Sequence, residues 1–136
     1  MDRAKHALIA EDDFATRWRM KRLMEPHICC DIAVSSSEVL QAFKISNEDG
    51  MPYNIMILNV ALPGAPILET ITEIRRREAH RNLQGAERIA FVVVTDVDSK
   101  EPSLGEILSQ CEGHIQRPIQ KGDFLGQLHS LGFLQT

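Results

Sequence analysis

The hydrophobic positions of this chain fall into short continuous runs, separated by segments with helical spacing. Residues 55–58 (IMIL) form an unbroken apolar run that closes at Asn59 and, a few residues later, at Pro63-Gly64. A run this short, bounded by turn residues, predicts a strand that is buried on both faces. Similar runs predict strands at 7–10, 29–34 and 89–94, and a weaker pattern predicts a last strand at 114–116.

The segments between the predicted strands carry helix signals. Asp13 is placed to cap a helix at 14–24, in which Phe14 and Trp18 lie four residues apart. The charged stretch 75–78 (RRRE) is interpreted as the solvated end of the third helix. The remaining signals are a Ser35–Glu38 capping box for a helix to about residue 45, the helical spacing of Ile67, Ile71 and Ile74, a Ser103–Glu106 capping box, and Asp123 as cap of a final helix.

Strands that alternate with helices in this way predict an α/β fold. Parallel strands need crossover connections, and right-handed crossovers place helices on both faces of the sheet. We therefore expect a doubly wound, five-stranded parallel sheet with five helices. With 136 residues, of which 43% are hydrophobic and 25% charged, the chain is expected to form one domain over 1–136.

Charge and cysteine content exclude several functional classes. The net charge is −4, and the Lys and Arg residues are scattered, so we expect no nucleic-acid surface. The sequence contains no apolar stretch near the roughly 20 residues needed to span a bilayer. The three cysteines do not have zinc-site or disulfide-framework spacing. We interpret them as reduced core thiols of a cytoplasmic protein.

Polar side chains follow the predicted strands at the points where the strands end. The carboxyl ends of parallel strands meet at one edge of the sheet, which is where ligands bind in open α/β folds. Carboxylates grouped with a hydroxyl and a cation are typical of a hard-metal and phosphate site. The residues are Glu11, Asp12, Asn59, Thr95, Asp96 and Arg117.

The whole chain resembles the receiver domain of two-component response regulators. The segment IAEDD resembles the acidic pocket after the first strand, and Arg17 keeps the usual spacing from Asp12. LNVALPG resembles the phosphoacceptor segment LDxxMPG, VVVTD resembles the end of the fourth strand, and IQRPI resembles the lysine-proline turn. The resemblance implies the flavodoxin-like receiver fold, with strand order 2-1-3-4-5.

In receiver domains, an aspartate at the end of the third strand accepts a phosphoryl group from a histidine kinase. Carried over residue by residue, the resemblance implies that Asn59 stands at the acceptor position. It also implies that Glu11, Asp12 and the backbone carbonyl of Ala61 stand at the Mg²⁺ ligand positions, and that Thr95 is the switch hydroxyl.

Four positions depart from the receiver pattern. Asn59 carries an amide, which is a poor nucleophile and cannot form an acyl phosphate. Arg117 replaces a lysine, Asp96 replaces a small residue, and His114 replaces the switch aromatic. The loss of one carboxylate predicts weak Mg²⁺ binding, because affinity for this ion depends on ligand charge.

The sequence therefore predicts a stand-alone, non-enzymatic signalling module of a two-component phosphorelay, which acts by protein–protein contact and does not accept phosphate at Asn59. Two alternatives stay open: Asp96 accepts the phosphoryl group, or Asn59 replaces an original Asp in a working receiver. A haloacid-dehalogenase-like phosphatase would share the wound sheet, but residues 11–13 do not supply its DxD arrangement cleanly.

The expected partner is a histidine kinase, another signalling protein or a second copy of the chain. Receivers signal through the fourth helix, fifth strand and fifth helix. We expect no attached output domain, and we therefore expect contact at 103–131. Within this face we expect Leu104, Ile107, Leu108 and Cys111 to be packed, and Glu106, Gln110, Glu112 and His114 to be available for contact.

Overall fold

The strands and helices alternate along the chain as the sequence predicts. The computed structural model describes residues 5–134, apart from the side chain of Ala86. The strands are β1 (His6–Ala10), β2 (Cys29–Ala33), β3 (Ile55–Asn59), β4 (Ala90–Asp96) and β5 (Gly113–Arg117). The helices are α1 (Phe14–Met24), α2 (Ser36–Glu48), α3 (Ile67–His80), α4 (Leu104–Ser109) and α5 (Lys121–Ser130), with a 3₁₀ turn at Gly85–Glu87.

The strands form one parallel sheet in the order β2-β1-β3-β4-β5. This confirms the doubly wound fold. β3 lies at the centre, and all of its residues are buried. Because side chains alternate along a strand, Met56 and Leu58 pack with α2, α3 and α4 on one face. Ile55 and Ile57 pack with α1 and α5 on the other.

The caps of the first two helices follow the sequence signals. The carboxylate of Asp13 accepts the backbone N–H of Thr16 at 3.0 Å, which confirms Asp13 as the cap of α1. The Ser35 hydroxyl accepts the N–H of Glu38 at 3.3 Å. The Glu38 carboxylate accepts the N–H of Val34 instead of returning to Ser35, so only half of the predicted capping box forms.

Two predicted caps of the later helices are wrong. In the part of the chain that the structure describes, the Ser103 side chain makes no capping hydrogen bond. The Glu101 carboxylate instead accepts the N–H of Ser103, at 3.2 Å. α5 begins at Lys121, so Asp123 lies in its first turn and not at the cap. Its negative charge still interacts favourably with the helix dipole there. α2 also continues beyond residue 45, to Glu48.

The predicted solvated end of α3 is wrong for two of its residues. Glu78 is buried and Arg75 is nearly so, and Nη1 of Arg75 donates to the Glu78 carboxylate at 2.8 Å. Glu78 also accepts the N–H of Ile89 at 2.6 Å, and Arg75 also binds Glu112. The guanidinium lies over the ring of Phe91. A buried charge needs a partner, and here the partners lie on different elements. The cluster therefore holds α3 against the start of β4 and the α4–β5 connection.

The three cysteines differ in their exposure. All three cysteines are free thiols, but Cys29 is exposed on the edge strand β2, so the prediction of core thiols is wrong for that residue. Cys30 and Cys111 are partly buried. Between residues 5 and 134, no helix is long and apolar enough to cross a membrane.

Candidate functional site

The polar residues that were predicted to converge do meet at the carboxyl edge of the sheet. Glu11 directly follows β1, Asn59 ends β3, and Arg117 ends β5. Thr95 and Asp96 are the last two residues of β4. The parallel register of the four strands aligns these ends. The structure therefore brings these residues together at one edge of the sheet, and their contacts determine what the arrangement can do.

Asn59 is the centre of the site and is buried. Its Nδ2 donates to Oε2 of Glu11 at 2.7 Å and to Oδ1 of Asp12 at 3.2 Å. Its Oδ1 accepts the backbone N–H of Ala61 at 2.9 Å. These partners fix the orientation of the amide, because a rotated amide would set its oxygen against two carboxylates and its NH₂ against a backbone N–H.

Glu11 is completely buried, and both of its carboxylate oxygens receive a donor. Asn59 binds Oε2, and Nη1 of Arg117 binds Oε1 at 2.7 Å. Burial raises the pKa of Glu11 above its ordinary value, and the Arg117 charge and the Asn59 hydrogen bond oppose this shift. The buried Glu11 carboxylate therefore depends on two donors, the uncharged amide of Asn59 from β3 and the cationic guanidinium of Arg117 from β5.

Arg117 bridges two strand ends across the site. Its Nη1 binds Glu11 after β1, and its Nε donates to Oδ1 of Asp96, at the end of β4, at 2.9 Å. Burial alone would lower the pKa of Arg117, but its contacts with Asp96 and Glu11 outweigh burial and raise that pKa, so the guanidinium is charged. Asp96 faces the guanidinium, while most of its side chain remains exposed. The planar fork of an arginine can serve two carboxylates at once, which a lysine ammonium does less well.

Thr95 and His114 form a second contact beside this bridge. The Thr95 hydroxyl and Nε2 of His114 share a hydrogen bond of 2.7 Å between β4 and β5. Thr95 is buried, whereas His114 is partly exposed, as the sequence predicts for a strand histidine. The Thr95 hydroxyl is therefore engaged by a neighbouring side chain.

The residues at the implied metal positions do not fit a Mg²⁺ ion in this arrangement. The positively polarised NH₂ of Asn59 and the Arg117 guanidinium already contact the carboxylates that would bind the ion. Mg²⁺ requires oxygen ligands in near-octahedral geometry, and an amide NH₂ supplies none. Among the residues that the structure describes, no three His, Cys, Asp or Glu side chains are grouped to hold a metal.

The structure also shows that the two aromatic residues that lie four apart in α1 are exposed. The side chains of Phe14 and Trp18 on α1 are 67% and 51% exposed, and the guanidinium groups of Arg17 and Arg22 lie over their rings. Met20 and Met24, also four residues apart, occupy the buried face instead. The sequence contains both apolar pairs at helical spacing, but the spacing does not indicate which of the two faces the sheet.

Comparison with known proteins identifies the fold by structure and not by sequence. No family model and no curated protein sequence matches this chain. A CheY-like receiver domain from Methanospirillum hungatei is 22% identical over 95% of this chain and 94% of its own, with a TM-score of 0.70. A CheY-like receiver from Methylobacillus flagellatus is also 22% identical, with coverages of 95% and 99% and a TM-score of 0.69.

A third similar structure is the receiver domain of Saccharomyces cerevisiae Ssk1, solved together with the histidine phosphotransfer protein Ypd1. It is 21% identical, covers 94% of this chain and 83% of its own, and has a TM-score of 0.67. The chain therefore has the fold of response regulator receiver domains, which confirms the fold that the sequence motifs predict.

Proposed function

We propose that this chain is a signalling module of the two-component type that does not accept a phosphoryl group at Asn59 and acts by binding another protein. It has no catalytic step of its own. The predicted cytoplasmic location belongs to the same proposal.

The orientation of Asn59 carries the proposal. Phosphoryl transfer to this position needs an anionic oxygen that can attack phosphorus. Asn59 offers a neutral amide whose Oδ1 accepts the N–H of Ala61 and whose Nδ2 donates to the acidic pair. Neither amide atom is a nucleophile in this arrangement.

The contacts around Asn59 support a domain that stays in one state. Arg117 links the ends of β1 and β4, and His114 holds the Thr95 hydroxyl. In a receiver that switches, this hydroxyl and the cation at the end of β5 must be free to meet a phosphoryl group. We therefore expect partner binding that does not depend on a phosphodonor.

The proposed partner is a protein, and two surfaces of the chain are candidates. One is the α4–β5–α5 face, where Glu106 and Gln116 are exposed. Glu112, which the sequence offered for contact on this face, binds Arg75 and the N–H of Phe91 and is therefore structural. The second candidate is the α1 face with Phe14 and Trp18, because exposed large aromatic residues often mark binding hot spots. The Ssk1 receiver, which has a similar fold, was solved with a phosphotransfer protein.

Incubation with acetyl phosphate and Mg²⁺, followed by intact-mass measurement, tests the acceptor claim. We expect no phosphoryl adduct on the wild-type chain. An adduct that maps to 53–64 would overturn the proposal. An adduct that disappears in Asp96→Asn would instead support Asp96 as the acceptor, which its exposed carboxylate makes the natural alternative.

Paired substitutions distinguish the two surfaces. Glu106→Lys with Asp123→Lys changes the α4–β5–α5 face, and Phe14→Ser with Trp18→Ser changes the α1 face. Glu48→Lys with Asp49→Lys, at the exposed end of α2, is the matched control. Binding to the partner purified from the source cells, or self-association, is measured by calorimetry and sedimentation. Loss with the first pair alone supports the α4–β5–α5 face, and loss with the aromatic pair alone assigns the surface to α1.

A further inference from the structure

We propose that Arg117 is a built-in cation that replaces the metal ion of this site, so that the acidic pair binds Mg²⁺ only when both Arg117 and Asn59 are changed. This inference rests on the proposed function, because it concerns the site at which phosphoryl transfer is lost. It goes beyond the missing nucleophile, because it assigns one shared role to Asn59, Asp96 and Arg117, which all depart from the receiver pattern.

The first step of the argument is the occupancy of the carboxylate oxygens. Oε1 of Glu11 accepts from Arg117 at 2.7 Å, and Oε2 accepts from Asn59 at 2.7 Å. Oδ1 of Asp12 accepts from the same Asn59 amide at 3.2 Å. An incoming cation would have to displace short hydrogen bonds from a carboxylate that is completely buried.

The second step is the balance of charge. A metal ion in this kind of site compensates several carboxylates that lie close together. Here Arg117 compensates Glu11 through Nη1 and Asp96 through Nε, and Asn59 contributes an amide in place of a third carboxylate at the centre. The centre of the site therefore has one negative charge fewer than it would have with an aspartate at 59, and Glu11 already has a fixed positive charge beside it. Both features lower the attraction of the acidic pair for Mg²⁺.

The third step is that Asn59, Asp96 and Arg117, which all depart from the receiver pattern, depend on one another. Asp96 provides the second anchor for the arginine fork, and a lysine at 117 would be a point charge with no such planar fork. Asn59 provides the donor for the second oxygen of Glu11, which an aspartate would repel. The three residues are thus parts of one hydrogen-bonded arrangement and not independent losses.

Mg²⁺ titration of four proteins tests the proposal: wild type, Asn59→Asp, Arg117→Lys and the double variant. Affinity is measured by calorimetry and by the Mg²⁺-dependent rise in melting temperature at constant ionic strength. We expect no measurable binding to wild type at about 10 mM Mg²⁺, and binding by the double variant at least about tenfold tighter than by either single variant, because the two positions are coupled. The matched control is Asn54→Asp with Arg19→Lys, which makes the same changes away from the site.

NMR spectra recorded with Mn²⁺ show where the ion binds. Mn²⁺ should broaden the backbone amide signals of Asp12, Asn59 and Ala61 in the double variant and leave them sharp in wild type. Three outcomes would overturn the proposal: site-specific broadening in wild type, an Asn59→Asp variant that binds as tightly as the double variant, or a folded double variant that binds no Mg²⁺. If the double variant does not fold, the wild-type spectrum alone decides. None of these results depends on whether Asn59 accepts phosphate, which the mass measurement tests separately.

Discussion

Nη1 of Arg117 lies 2.7 Å from Oε1 of Glu11, although the two residues are 106 positions apart in the chain. The contact joins the end of the last strand to the end of the first. Because Glu11 is completely buried, its carboxylate has no access to water and depends on this guanidinium and on the Asn59 amide.

Replacement of Arg117 by Met should destabilise the domain strongly. Removing one partner of a buried ion pair leaves the other charge uncompensated, and we expect the free energy of unfolding to fall by about 3 kcal/mol. Urea denaturation followed by circular dichroism measures the loss. Arg19→Met is the control, because within residues 5–134 the Arg19 side chain donates only to the backbone carbonyl of Ile119. Equal losses in the two variants would show that Glu11 does not depend on Arg117.

The stability of the domain should depend on pH through Glu11. Its pKa is raised in the folded state, so the folded chain holds this proton more tightly than the unfolded chain does. The contribution of Glu11 to the free energy of unfolding should therefore fall as the pH rises from the ordinary value of 4.5 through the raised pKa. Comparison of wild type with Glu11→Gln across this range measures the effect, and carboxyl NMR gives the pKa directly. A pKa below the ordinary value would contradict the argument.

The Thr95–His114 pair should behave as a coupled unit. His114→Phe introduces the aromatic side chain that the receiver pattern has at this position. It leaves the buried Thr95 hydroxyl without its partner, which should cost about 1–3 kcal/mol. Adding Thr95→Val removes the unsatisfied group, so the double variant should recover most of the loss. Chemical denaturation of the two single variants and the double variant gives the coupling energy. Additive losses would mean that the hydrogen bond contributes nothing.

Glu78→Ala should be far more harmful than its position in a charged stretch suggests. Glu78 is buried and binds Arg75 and the N–H of Ile89, so its removal should lower the free energy of unfolding by about 3 kcal/mol. Glu69→Ala, at an exposed position of the same helix, should change it by less than about 0.5 kcal/mol. The same denaturation measurement serves both variants, and similar losses would refute the structural role of Glu78.

Thiol labelling should distinguish Cys29 from the other cysteines. Burial raises the pKa of Cys30 and of Cys111 to about 12, so neither forms a thiolate readily near pH 8. Cys29 is exposed on β2. Iodoacetamide should add one group to the native chain, at Cys29, and three groups in denaturant. Rapid modification of Cys111 in the native chain would show that the α4–β5 connection opens.

The fold was predictable because its signals are local and repeated. The buried run before Asn59 and the alternation of strand and helix patterns fix the layers. The parallel sheet then brings the strand ends together. These rules identified Glu11, Thr95 and Arg117 as neighbours without any knowledge of their contacts.

The chemistry of the site was less predictable because it depends on pairings between distant residues. The orientation of the Asn59 amide follows from a carboxylate 48 positions away, and the second contact of Arg117 follows from the end of a neighbouring strand. Local pattern likewise does not reveal which of two apolar pairs on α1 faces the sheet. The buried Glu78 looked solvated because one of its partners, the N–H of Ile89, comes from the segment before β4. Its other partner, Arg75, is itself held by Glu112 beyond α4.

The bridge formed by Arg117 also bears on which substitutions the site accepts one at a time. The receiver pattern that the sequence motifs resemble has an aspartate at the position of Asn59 and a lysine at the position of Arg117. The aspartate alone would set a third carboxylate beside Glu11 and Asp12, and the lysine alone would loosen the only fork that spans Glu11 and Asp96 in the described structure. Each single change therefore passes through a less stable protein, so the arrangement acts as a ratchet that holds the residues at 59 and 117 together.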